Sequence, residues 1–256
     1  MYTALEDPHG NHPTASVFAD AHYVAMTSAT HPSSRSGVAR DTRDYRVDVS
    51  IVPALDNRNR LTAAFRPILA IPHLLLVGGP TALAVSLGWY AEERPRLEWG
   101  ATTGVLGAVA AVCALIAWFA ILFGGTYPDG LRSLALFYLR WRVRAGAYFT
   151  LLRDEFPPFG DADYPAALSI ELPDDARRNR WTVAFRLILV VPHAIAVWAL
   201  GIAWMITTLA AWCVIIFTGR YPPGLYGFGV GVLRWSTRVE AYVLLLHDDY
   251  PPFSLH

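Results

Sequence analysis

A chain of 256 residues that is 54% hydrophobic and only 16% charged is not an ordinary soluble enzyme, because soluble domains carry about a quarter charged residues. Its 21 basic and 21 acidic residues cancel, so no whole-chain bias directs it to nucleic acid or to an acidic substrate. Every basic residue is arginine, which excludes a lysine Schiff base and a P-loop.

Residues 1–44 are rich in Ser, Thr, Ala, Pro and His, hold no apolar run long enough for a signal peptide, and read as a disordered tail. The irregular spacing of His9, His12, His22 and His31 fits incidental composition better than a metal site.

Everything beyond the tail is written twice. Asn59 to His73 and Asn179 to His193 share NR-x-T-x-AFR-x-IL-x-x-PH; Trp118 to Leu131 and Trp212 to Leu225 share W-x-x-I-x-F-x-G-x-Y-P-x-G-L; Leu139 to Phe159 and Leu233 to Phe253 share LRW-x-x-R-x-x-AY-x-x-LL-x-D-x-x-PPF. The first block recurs after 120 positions and the other two after 94, so the first copy, residues 45–160, holds 26 extra residues between His73 and Trp118. The second copy is 161–256. On these blocks the unit resembles the bacterial domain-of-unknown-function family 4389, over nearly all of Tyr45 to Phe253. The resemblance implies an integral membrane protein and supplies no activity. The first copy departs from the pattern in its insertion and in reading GGTYPDG where the second reads TGRYPPG.

Each copy opens on an alternating run, Tyr45, Val47, Val49 and Ile51 or Leu168, Ile170 and Leu172, which predicts strands able to pair outside the bilayer. The apolar stretches follow. Residues 101–123 carry no charge, and residues 187–217 none except the titratable His193; runs of this length read as membrane helices. Trp181 to Phe217 as one straight helix would measure about 55 Å, against a hydrocarbon core of about 30 Å. The preferred solution is a hairpin turning near Gly201, which makes four membrane arms, puts the polar insertion tip Ala91 to Trp99 at a hairpin end, and gathers the arginines at 43, 46, 58, 60, 132, 140, 142, 144, 153, 177, 178, 180, 220, 234 and 238 on one face, with only Arg94 and Arg96 opposite; that face is cytoplasmic by the positive-inside rule. The other is an interfacial helix kinked at Pro192 followed by one span, with three spans in the chain. Cys113 and Cys213, at unmatched places in the repeat, read as small buried side chains.

Leu131 to Leu152 and Leu225 to Leu246 are too charged to span and too apolar to be free in water. Arg140 and Arg144, like Arg234 and Arg238, stand four residues apart on one helical face. The expected place is the interface, with these guanidinium groups and Trp141 or Trp235 at headgroup level, binding anionic lipid or a partner subunit.

Four further residues invite chemistry. Arg66 and Arg186 lie inside apolar stretches, seven positions before His73 and His193 and on the same helical face. The arginines either snorkel, pair with Asp154 or Asp248 as a structural clasp, or serve an active role. The histidines either bond within the fold or, one from each copy, ligate a haem. Adjacent acids before PPF fit a helix end and proline stop better than acid–base work. No nucleophile elbow, zinc-protease, Walker or dinucleotide pattern occurs, so an enzyme has no positive anchor. Two functions are consistent with the chain: a non-enzymatic component of the bacterial cytoplasmic membrane, multi-pass with cytoplasmic termini, or a redox or transport protein using the paired Arg and His residues.

Overall fold

A computed structural model describes residues 46–79, 100–173 and 178–256. The N-terminal stretch 1–44, with its histidines, and the tip Ala91 to Trp99 lie outside the described residues. The fold is mainly helical: β1 (Val47–Ile51), α1 (Arg60–Leu69), α2 (Ile71–Val77), α3 (Gly100–Gly124), α4 (Asp129–Phe149), β2 (Ala166–Ile170), α5 (Arg180–Ala184), α6 (Arg186–Leu189), α7 (Val191–Thr218) and α8 (Pro223–Val243).

The opening strands pair with each other, antiparallel, with Val49 opposite Leu168. Val47, Val49 and Ala166 are fully buried, whereas Asp48, Ser50 and Ser169 face out. Asn59 caps α1 by accepting from the Leu61 and Thr62 N–H groups, and Asn179 caps α5 through the Trp181 N–H.

Two helices, Gly104–Gly124 and Arg186–Thr218, are long and apolar enough to cross a membrane, or three if α1 and α2, bent by 42°, count together. The hairpin expected at Gly201 does not form. WALGIAW contains no polar turn residue, and Gly201 sits buried on the inner face of an unbroken α7. The four-arm arrangement falls with it, as does the arginine tally that assumed it.

In the first copy α2 and α3 together stand where α7 stands in the second. His73 and His193 mark the start of each and Trp118 and Trp212 the later part, in matching contacts. The insertion leaves this helix at Gly78 and re-enters at Gly104, where both residues have positive φ; a side chain on Gly104 would sit 2.5 Å from the Gly78 nitrogen. Only glycine allows that approach.

The break leaves the Val77 carbonyl without an intrahelical partner. Arg142 Nη1 donates to it at 2.7 Å, and the buried guanidinium is balanced by Glu240 at 2.6 Å, which also accepts from the Tyr138 hydroxyl at 2.7 Å. In the other copy α7 is continuous, and the equivalent positions are Ser236 and Gly146. This asymmetric network therefore compensates the insertion.

The outer helices are inside out by the standards of a water-soluble protein. On α1 Leu61, Phe65 and Ile68 are exposed while Arg66 is 1% exposed. On α7 Ile195, Ile202, Met205, Ile206 and Leu209 face outwards, and His193, Trp204 and Thr208 inwards. Cys213 also lies on that outer face and Cys113 is half-buried, which corrects the expectation that both are core residues. By contrast, α4 and α8 expose no large hydrophobic side chain. They are the buried centre of the fold rather than interfacial helices, because flanking helices and the sheet cover their faces.

Candidate functional site

Each copy builds the same two-part site from its own motifs. The first part is a clasp. Arg66 Nη2 reaches Asp154 Oδ1 at 2.6 Å, and its Nη1 donates to the carbonyl of Arg153 at 2.6 Å. Arg58 reaches the same Asp154 oxygen at 2.9 Å and donates to the carbonyls of Ala54, at 2.6 Å, and Leu151. In the second copy Arg186 and Arg178 hold Asp248 at 2.8 and 3.3 Å; Arg186 donates to the carbonyls of Tyr242 and His247 and Arg178 to that of Leu245.

Two features shape these clasps. Leu151 and Leu245, non-glycine residues with φ of 67° and 62°, turn their carbonyls to the second arginine of each, a conformation with a steric cost. The motif tyrosines Tyr148 and Tyr242 lie beneath Arg66 and Arg186, 4.6 and 4.3 Å from ring centre to guanidinium carbon, which adds cation–π attraction in a desolvated place. The neighbouring tyrosines Tyr221 and Tyr127 come from the opposite copy and face Arg58 and Arg178. Burial pushes their hydroxyls up to about 12 even beside those cations.

The second part is an aromatic cage. Trp141 Nε1 donates to His73 Nδ1 at 3.0 Å, and Trp235 Nε1 to His193 Nδ1 at 3.3 Å. Accepting there fixes the neutral tautomer with the proton on Nε2, which faces the carbonyl of Pro157 or Pro251 without closing a full hydrogen bond. The closing phenylalanines of the two PPF motifs stack on the rings: Phe159 at 4.6 Å on His73 and Phe253 at 3.9 Å on His193. The two histidines thus stand in separate cages, each closed by residues of its own copy.

The arginines expected at the lipid surface are mostly taken up inside. Arg144 pairs with Asp161 at 2.8 Å, and Arg238 donates to the carbonyls of Val47 at 3.2 Å and His256 at 2.6 Å; both are buried. Arg140 pairs with Asp161 at 3.0 Å, and Arg234 donates to the Val49 carbonyl at 3.0 Å, both half-exposed. Trp141 and Trp235 are buried against the histidines and do not present their rings on the surface. The physical reason is the sheet: its edge carbonyls and the loop acid Asp161 need donors, and α4 and α8 supply them.

Sequence reasoning missed Arg58 and Arg178, the second arginine of each clasp, and their neighbours Arg60 and Arg180. An R-N-R triplet in both copies, Arg58 to Arg60 and Arg178 to Arg180, carried the signal. Arg60 and Arg180 are exposed at the first turns of α1 and α5. Arg60 lies beside Gly219 at the end of α7, and Arg180 beside Gly125 just after α3.

The family model described as Domain of unknown function (DUF4389) matches residues 97–160 and again 180–254. The chain therefore belongs to that family, in two tandem copies. No curated protein and no solved structure matches it.

Proposed function

We propose that this DUF4389 protein is a non-enzymatic component of the bacterial cytoplasmic membrane that holds anionic lipid headgroups at Arg60 and Arg180. The observation that carries the reading is their exposure. Neither has a carboxylate partner among the described residues, and each is followed by a strongly exposed apolar residue, Leu61 at 70% or Trp181 at 74%. Guanidinium beside an apolar belt is the arrangement that binds phosphate at headgroup level, through bidentate hydrogen bonds. Arg140 and Arg234 are secondary contacts, and docking of a partner subunit on the same face is the competing use.

Both ends of the described chain meet at one guanidinium, since Arg238 donates to Val47 and to His256; this supports both lying on one side. In the proposal that side is the cytoplasmic one. A haem or transport reading asks for ionisable groups free to act. The pairing of Arg66 and Arg186 with carboxylates and the Trp bond to each histidine favour folding roles instead.

The test is lipid retained after gentle detergent extraction, measured by mass spectrometry. Arg60→Ala with Arg180→Ala should lower retained phosphatidylglycerol severalfold relative to neutral lipid, while Arg144→Ala lowers the yield of folded protein without changing the lipid ratio. Unchanged phosphatidylglycerol in the double variant removes the proposal.

A further inference from the structure

We infer that the chain lies flat in one leaflet of the bilayer and does not cross it. This deepens the reading above, resting on membrane residence but not on Arg60 or Arg180.

Contacts between the copies come in matched pairs. Trp118 Nε1 donates to the carbonyl of Val183 and Trp212 Nε1 to that of Ala63, both at 2.9 Å. The Tyr127 hydroxyl donates to the Leu244 carbonyl at 3.1 Å and the Tyr221 hydroxyl to the Thr150 carbonyl at 3.4 Å. Such reciprocity defines a pseudo-two-fold axis. Because β1 and β2 are antiparallel partners, that axis runs through the sheet along its normal. It also passes between α4 and α8, which run antiparallel: Gly146 packs on Leu233, while Tyr138 and Arg142 reach Glu240.

A repeat axis can lie in the membrane plane or along the membrane normal. In the plane, with α7 crossing, the two-stranded sheet would sit at the middle of the bilayer. That sheet carries Asp48, Ser50 and Ser169 on its outer face and the Arg46–Glu171 pair beside it, with side chains 59% and 73% exposed. Charged groups and sheet edges exposed to lipid at that depth are not tolerated.

Along the normal, the axis puts the two clasps at one depth. Helix α7 starts just after Arg186, in the second clasp, and ends where the Gly219 carbonyl accepts the N–H of Arg58, in the first, at 2.9 Å. A helix whose two ends share a depth does not cross. The pair α2 and α3 obeys the same rule, starting just after Arg66 and ending where Arg180 meets the Leu122 carbonyl and Tyr127 faces Arg178. The 28 residues of α7 span about 42 Å and need not fit a core of about 30 Å. They are long and apolar because they lie along the acyl chains, outer face to lipid, with α4 and α8 above them and the sheet in water. The partner is thus the acyl region of a single leaflet, and the multi-pass expectation gives way to a monotopic one.

The experiment uses the full chain, with Cys113 and Cys213 replaced by alanine, reconstituted in phosphatidylglycerol–phosphatidylcholine vesicles. Single cysteines at Asp56, near the end of α7, at Asp249, near its start, and at Ser169 on the sheet are treated with a membrane-impermeant maleimide before and after lysis. All three should label from one side, in the same proportion. A nitroxide scan at Ile195, Ile202 and Leu209, sites that disturb no ion pair, should give one constant shallow depth, about 5–10 Å below the headgroups. Opposite-side labelling of Asp56→Cys and Asp249→Cys, or a nitroxide depth that passes through the bilayer centre along α7, overturns the inference. Protein that washes off the vesicles in carbonate would instead refute membrane residence itself.

Discussion

At the scale of single residues, the two copies keep their polar groups for the interior. A guanidinium buried as deeply as Arg66 is tolerable only with a carboxylate and further acceptors around it, and Asp154 serves two such cations at once. Asp154→Ala would leave both uncompensated, with an expected loss of about 3–5 kcal/mol in detergent unfolding and a matching loss for Asp248→Ala. Asp161 is 45% exposed and pairs with half-exposed Arg140 and with buried Arg144, which keeps the Gly160 carbonyl as a second acceptor; Asp161→Ala should cost less than either clasp variant. Equal losses at the two kinds of site would show that the clasps have no special place in the fold. The aromatic motif residues have comparable reasons to recur: Trp141 sets the tautomer of His73 and Phe159 covers its ring.

At the scale of elements, the repeat, the helical class and the paired strands are legible in the sequence, because periodicity and self-similarity are local properties of the chain. So is the pairing of Arg66 with Asp154 as one option among three. What the sequence hides is which side of each helix is covered. An apolar face with one arginine reads the same whether lipid or protein lies opposite, so α4 and α8 look interfacial until the sheet and the flanking helices are seen to enclose them. The hairpin at Gly201 fails for a related reason: length set against bilayer thickness, with the insertion placed at a tip, favours a turn, and length is harmless in a helix that need not cross. The insertion gives a test at this scale. Deleting residues 78–103 joins Val77 to Gly104, matching Val197 and Trp198 of the continuous α7, and should yield a folded chain. Arg142→Ser with Glu240→Ala leaves the Val77 carbonyl bare in the full chain. The pair should cost about 1–3 kcal/mol more there than in the deleted chain, where that carbonyl regains an intrahelical donor. Equal costs in the two backgrounds would mean that the network does not answer the break.

At the scale of the whole molecule, two copies in one chain behave as the two halves of a closed dimer. Each lends a tryptophan to the first helix of the other: the carbonyl that Pro67 leaves without its helical donor, that of Ala63, is taken by Trp212, and that of Val183, beside the break between α5 and α6, is taken by Trp118. Tyrosines past α3 and α7 likewise tie each copy to the end of the other's central helix. Neither copy can complete its hydrogen bonding or cover its central helix alone. This closure defines the axis, fixes the depth of the clasps, and turns the greasy outer helices to one leaflet. Expressing residues 46–160 and 161–256 as separate polypeptides in one cell tests it most directly. The two halves should co-purify one to one from the membrane, with each half expressed alone degraded or aggregated; halves that each fold alone with the stability of the whole chain would contradict the account.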